Sequence, residues 1–198
     1  MTRLTLAIIA AFLTLGVLPG RAGTTEEATA AYQRGDYPLA MRLYMGLADE
    51  GEPMAFSILG LMHASGQGVP KNYVEAARWY RLAAEQGDAS AQFNLASIYE
   101  GGQGVNPDYT EAIYWFRRAA ALGNPSARYS LAGMYETGRG AAQDNVRAYL
   151  WLDFASSTGW KLAVNAKNKL AKRMSPDQIV QARQMYLSCL ESSFELCD

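Results

Sequence analysis

Only two cysteines and one histidine occur among the 198 residues. Both cysteines, Cys189 and Cys197, sit in the last ten positions. No zinc-type ligand spacing and no His-Glu-x-x-His helix can be assembled from this set, so no metal site is expected. The chain is also poor in charge, with 19% Asp, Glu, Lys and Arg and a formal net charge of −1. No basic run interrupts it, which argues against nucleic acid or an anionic membrane surface as a partner. Long apolar runs are scarce too. The one present, Leu4 to Leu18, falls short of the roughly 20 residues of a membrane span. Gly-x-Ser-x-Gly is absent. The Gly-x-Gly pieces Gly66–Gly68, Gly102–Gly104 and Gly138–Gly140 follow helical patterns rather than strands, so they are not phosphate-binding loops. The neighbouring acids Glu26-Glu27 and Asp49-Glu50 lie in polar stretches with no apolar pocket to raise a pKa. The expectation is a protein without catalytic, cofactor or metal site.

What is present is a globular composition, 49% hydrophobic, preceded by a segment that does not belong to the fold. Met1 to Arg3 carry one positive charge, the apolar run follows, and Pro19-Gly20-Arg21-Ala22 supplies small residues where a signal peptidase cuts. Residues 1–22 therefore read as a secretory signal, which predicts a periplasmic or secreted protein with no integral membrane span after cleavage; the alternative is a retained membrane anchor. Removing Arg3 and Arg21 leaves 16 basic against 19 acidic residues, a balance of about −3. In an oxidising compartment Cys189 and Cys197 can close a short terminal loop, link to another chain, or remain free. A loop that clips only a tail is expected to stabilise the main body little.

The chain repeats itself. Gly51, Gly87, Gly123 and Gly159 stand 36 residues apart, and three segments, 52–87, 88–123 and 124–159, align between them without a gap. Matching columns include Ala55/Ala91/Ala127, Leu59/Leu95/Leu131, Gly60/Ala96/Ala132, Met62/Ile98/Met134, Ala76/Ala112/Ala148 and Trp79/Trp115/Trp151. His63 shares a column with Tyr99 and Tyr135, so it reads as an aromatic-sized packing residue. A fixed period of this size is the signature of a repeat architecture.

Each unit predicts two antiparallel helices. Apolar and small residues at offsets of three and four mark one buried face of the first helix. A Gly-x-Gly ends it. Asn72, Asp108 and Asp144 then stand at N-cap positions, with Glu75 and Glu111 placed to complete capping boxes and Arg147 breaking the third. The second helix buries residues such as Ala76, Trp79, Tyr80 and Ala83 and stops at the next glycine. Residues 23–51 form a shortened first unit whose connection lacks five residues. Residues 160–187 form a closing pair, with Ser175, Pro176 and Gln178 starting the last helix, and 188–198 a tail. A 36-residue hairpin is below the size that usually folds alone, so each unit must bury its aromatic face against its neighbours.

The run Ala91-Gln92-Phe93-Asn94-Leu95-Ala96, Tyr99, Gly102-x-Gly104-Val105, Asp108, Ala112, Trp115-Phe116 and Ala119-Ala120-x-x-Gly123 resembles the Sel-one-like repeat (SLR) family, a relative of the tetratricopeptide repeat. The likeness covers about residues 25 to 187. It implies an all-α fold, an α-solenoid of tandem antiparallel helix pairs winding as a right-handed superhelix, closed by a C-terminal capping helix pair. It also implies that the first helices line a concave surface for a protein or peptide partner. By analogy with tetratricopeptide repeats the groove positions are Met54, Ser57 and Leu61, then Ser90, Phe93, Ser97 and Glu100, then Ser126, Tyr129, Gly133 and Glu136. The Phe93/Tyr129 and Glu100/Glu136 ladders suggest an acidic, aromatic groove for an apolar side chain and a basic group. The alternative is that both aromatics only pack helices and both glutamates are solvated.

The function expected is that of a non-catalytic scaffold, adaptor or regulator that binds a partner segment. Two others remain open. One branch of the family is linked to penicillin binding and β-lactam hydrolysis, but this chain lacks that branch's cysteine pair in each repeat, which disfavours a cell-wall- or β-lactam-directed enzyme. An exported factor that engages a host protein carries the same export signal. Oligomeric state and partner are not written in the sequence.

Overall fold

The computed structural model describes residues 23–192 together with Phe194 and Cys197. The expected signal segment, residues 1–22, lies outside the described residues. Among these there are ten helices and no strand. They run α1 Thr25–Gln33, α2 Tyr37–Asp49, α3 Pro53–Ser65, α4 Tyr73–Glu85, α5 Ala89–Gly101, α6 Tyr109–Ala121, α7 Pro125–Thr137, α8 Asn145–Ser156, α9 Lys161–Ala171 and α10 Pro176–Glu191. Each helix from α1 to α8 packs on the next, first as a hairpin partner and then across a seam to the following unit. The result is an all-α solenoid.

Local chemistry sets the helix starts. The side chains of Asn72, Asp108 and Asp144 each accept the N–H groups of the second and third helical residues of α4, α6 and α8. The capping boxes expected from Glu75 and Glu111 do not form. The backbone N–H that such a glutamate would accept is already bonded, from Asn72 to the His63 carbonyl at 2.8 Å and from Asp108 to the Tyr99 carbonyl at 3.0 Å. With that donor satisfied, Glu75 pairs with Arg78 and Glu111 accepts from the Trp115 indole at 3.1 Å. True capping boxes occur where no earlier helix supplies that carbonyl, at Thr24/Glu27 and Ser175/Gln178.

Alanine and leucine columns line the core. Ala55, Ala91, Ala127, Leu59, Leu95 and Leu131 are buried essentially completely. At Gly60 a Cβ would stand 2.6 Å from the Tyr80 ring, so the small column does hold a closely approaching partner helix. Trp115 and Trp151 are buried, whereas Trp79 is half-buried and stacks on Phe56 at 6.1 Å.

Recurring polar links stitch one unit to the next. Arg81 donates to the Tyr99 hydroxyl, and Arg117 donates to the Tyr135 hydroxyl at 2.7 Å. A third step replaces this pairing with Lys167 donating to Asp153 at 2.8 Å. Gln92 and Arg128, also 36 residues apart, donate to the Ala84 and Ala120 carbonyls, both at 3.0 Å. The same carbonyls, at the ends of α4 and α6, also accept the N–H groups of Gly87 and Gly123, at 3.1 and 3.0 Å, so each side chain adds a second bond. Burial lowers the pKa of Arg128 from its ordinary value, against the pull of Tyr186.

The two ends differ from the middle. The link from α1 to α2 has three residues, Arg34–Asp36, where that from α3 to α4 has seven, Gly66–Asn72. Buried Ala28 and Ala31 precede Leu59 and Met62 by 31 residues, five short of the 36-residue period, as expected. At the other end α9 and α10 both close the array against α8. Helix α9 docks on α8 in repeat register, with Ala163 buried 36 residues after Ala127, while α10 lies mainly against α8. Tyr186 of α10 stacks on Phe154 at 4.2 Å. Cys189 belongs to α10, is fully buried, and is disulfide-bonded to Cys197, with Cα atoms 4.8 Å apart. The loop between them brings Phe194 within 5.1 Å of Phe154, and the Arg128 guanidinium lies 5.2 Å from both rings. Phe194 therefore covers the aromatic end of the core, so the disulfide does more than clip a loose tail.

Candidate protein-docking face

Helices α3, α5, α7 and α9 stand at equivalent places in successive units, and their residues repeat at 36-residue intervals. One column reads Ser57, Phe93, Tyr129 and Asn165; another reads Leu61, Ser97, Gly133 and Lys169. All eleven residues expected to line a groove lie on α3, α5 and α7. The structure gives them different tasks.

Ser57 donates to the Asp88 carboxylate, which also caps α5 by accepting the N–H groups of Ser90 and Ala91. The Ser97 hydroxyl turns back to the Phe93 carbonyl at 2.9 Å. Both hydroxyls are therefore engaged within the fold. Phe93 is half-buried and tilts against Phe116 at 5.7 Å, so much of its ring belongs to the core. Leu61 is 37% exposed. Tyr129 is half-buried, with its ring 5.1 Å from Trp160.

The two glutamates are not free charges. Glu100 lies 3.2 Å from Arg139, and Glu136 is paired with Arg173. In each case the arginine comes from the unit that follows. Exposed pairs of this kind stabilise by less than about 1 kcal/mol, but they cancel the local negative charge. An acidic groove is not what these residues build.

Tyr129 and Glu136 do come together, in a cleft of about 320 Å³ completed by Leu162, Asn165, Ala166 and Lys169 of α9. Sequence reasoning assigned α9 to the end cap and so passed over four of the six lining residues. The signal was available: the 36-residue step carries Ala127 to Ala163 and Met134 to Leu170, and both alanines and both long side chains are buried. Apolar exposure on the same helices adds Met54 at 53% and Leu162 at 50%. His63 is half-buried, and its Nδ1 has no hydrogen-bond partner. No helix among the described residues is long and apolar enough to cross a membrane.

Three consecutive segments, residues 57–88, 89–124 and 125–159, match the Sel1 repeat model. No curated protein matches the sequence. Among solved structures, a Sel1 repeat protein from Oxalobacter formigenes superposes with a TM-score of 0.69 at 25% identity, over 86% of this chain and 78% of that one. A protective antigen present in uropathogenic Escherichia coli strains, displaying an SLR fold, gives a TM-score of 0.50 at 26% identity. That match covers 84% of this chain but only 47% of the antigen. With the repeats matched over more than half its length and the same helix pairing throughout, the chain belongs to the Sel1 repeat family.

Proposed function

We propose that this chain is a non-catalytic scaffold or adaptor that binds a segment of a partner protein along the concave face formed by α3, α5, α7 and α9. Sel1 repeats are protein-interaction modules, and the family is generally one of non-catalytic repeat scaffolds. The observation that carries the reading is the cleft of about 320 Å³ between α7 and α9, walled by Tyr129, Leu162 and Ala166. Helices α4, α6 and α8 put Tyr80, Trp115, Phe116, Trp151 and Phe154 into the core, although α4 and α6 also leave Val74, Leu82 and Tyr114 exposed. The first helices keep an outward apolar surface in Met54, Leu61 and Leu162 and a cleft beside Tyr129. A solenoid offers such a surface as an extended binding site.

The setting proposed is the periplasm or the exterior, from the charged, apolar and small-residue order of residues 1–22. A photoreactive amino acid placed at Leu61 or Leu162 should crosslink one specific protein in the native envelope fraction, and one placed at Val74 or Leu82 on α4 should not. Equal yields from both sets would reject the concave-face assignment. Amino-terminal sequencing of the exported protein checks the compartment, with Gly23 as the expected first residue.

A further inference from the structure

The charge that remains on the first-helix face has the opposite sign to the glutamate ladder. Glu100 and Glu136 are neutralised by Arg139 and Arg173. Helix α9 and its C-cap carry Lys161, Lys167, Lys169, Lys172 and then Arg173, with no acid between Trp160 and Ser175. Five of the 18 basic residues are thus gathered in one short stretch of a chain whose net charge is −1. Lys167 is committed to Asp153 and Arg173 to Glu136. Lys161, Lys169 and Lys172 are exposed and have no ion-pair partner among the described residues. Lys169 lines the cleft between α7 and α9, and Lys172 occupies in α9 the repeat position that Glu136 holds in α7.

We propose that this cleft is the anchoring point for an acidic segment of the partner protein, a proposal that rests on the concave-face reading above. The occupant has an apolar or aromatic side chain flanked by Asp or Glu. Its apolar side chain enters beside Tyr129, Leu162 and Ala166, a site of about 320 Å³ with more apolar than polar wall. Asn165, whose amide both donates and accepts, meets the segment's backbone. The flanking carboxylates lie against Lys169 and Lys172. The unpaired lysines supply sign selectivity and faster encounter, while the buried apolar contact supplies most of the affinity. Three unpaired lysines on α9 and its C-cap, one of them in the cleft wall, suit a peptide better than a polyanion, which needs many phosphate contacts for useful affinity.

The test uses the whole exported chain and three fluorescein-labelled synthetic peptides. Each has a central Phe, flanked by Glu, by Gln or by Lys. Fluorescence anisotropy should show the Glu-flanked peptide binding at least tenfold more tightly than the Gln-flanked one, with affinity falling as salt rises. The Lys169→Glu/Lys172→Glu double variant changes only exposed side chains. It should lose at least tenfold for the Glu-flanked peptide and gain for the Lys-flanked one. Asn165→Ala should weaken both Glu- and Gln-flanked peptides. Equal affinity for all three peptides, undiminished binding by the double variant, or no peptide binding at all would overturn the proposal. So would lysine-dependent binding to phosphatidylglycerol vesicles without any peptide preference. If crosslinks from Leu61 still capture a partner in that event, the scaffold reading stands and this anchoring site alone fails.

Discussion

Alanine at Gly123 and alanine at Gly140 separate two reasons for a glycine in this array. Both positions have left-handed backbones, with φ of 89° and 76°, so a side chain costs about 1–2 kcal/mol at either one for conformation alone. Around Gly123 an added Cβ meets nothing within 4 Å. At Gly140 it would stand 2.6 Å from the Tyr109 carbonyl oxygen and 2.7 Å from the Tyr109 Cβ. These atoms sit at the start of α6, in the preceding unit, and the carbonyl is backbone that cannot rotate aside. Relief requires the α7–α8 loop to move off α6, which opens the seam between two units. Overpacking of that kind adds about 1–3 kcal/mol. The expected losses are therefore about 1–2 kcal/mol for Gly123→Ala and about 2–5 kcal/mol for Gly140→Ala. Equilibrium urea unfolding, followed by far-UV circular dichroism and by tryptophan fluorescence, measures both. Because a solenoid is coupled mainly through its interfaces, Gly140→Ala should also broaden the transition or make the two probes diverge. Equal midpoint shifts with undiminished cooperativity in both variants would refute close approach as the reason for the second glycine of each Gly-x-Gly.

Trp115→Ala, in a residue only 3% exposed, should cost about 3–5 kcal/mol in the same unfolding experiment; a loss below about 1 kcal/mol would mean the central seam does not depend on it. Burial pushes the Tyr80 hydroxyl up to about 12, so its protonated form is the one the fold favours. Its contribution is complete below the unfolded value near 10 and is lost as pH rises towards 12, a loss of about 2–3 kcal/mol. Tyr80→Phe should flatten the alkaline fall in stability over that window, and an unchanged slope would reject burial as the cause. Reducing the Cys189–Cys197 bond, or replacing both cysteines by serine, should lower stability by about 2–3 kcal/mol by the loop-closure argument. It should also reduce the near-UV signal as Phe194 leaves Phe154, and an unchanged unfolding midpoint would mean the tail does not cap the core.

The repeat was legible because its causes are local or strictly periodic. A glycine that ends a helix, an asparagine or aspartate that starts one, and an alanine that lets two helices meet each act within a few residues. All recur at 36-residue spacing. The capping boxes failed for a tertiary reason: the donor that Glu75 was expected to satisfy is taken by the carbonyl of His63, nine residues earlier in the chain but across the hairpin. The second glycine of each pair reads as punctuation in the sequence. Its close approach to Tyr37, Tyr73 or Tyr109 in the preceding unit cannot be inferred from propensity, because it depends on how one unit sits against another. The role of the tail is hidden for a similar reason. Nothing in the spacing of Cys189 and Cys197 says that the loop between them lands on Phe154.

The docking face was harder to read because its sign depends on pairs, not on residues. Counting side chains along α5 and α7 finds Glu100 and Glu136 and predicts a negative groove. Each glutamate is answered by an arginine 37 or 39 positions later, a separation just beyond one repeat, so the partner is found only by stepping along the helical ladder. That step also places α9 in line with α3, α5 and α7 on the proposed binding face, as well as over the core. The same period that identified the fold thus assigns the lysines to the face, since Lys169 follows Gly133 in one column and Lys172 follows Glu136 in the next. A partner segment moving along this face meets neutral, partly apolar surface on α3 and α5 and net positive charge on α9. Such polarity gives an acidic segment one preferred direction of binding, and reversing the two lysines should remove that direction without disturbing a single buried contact.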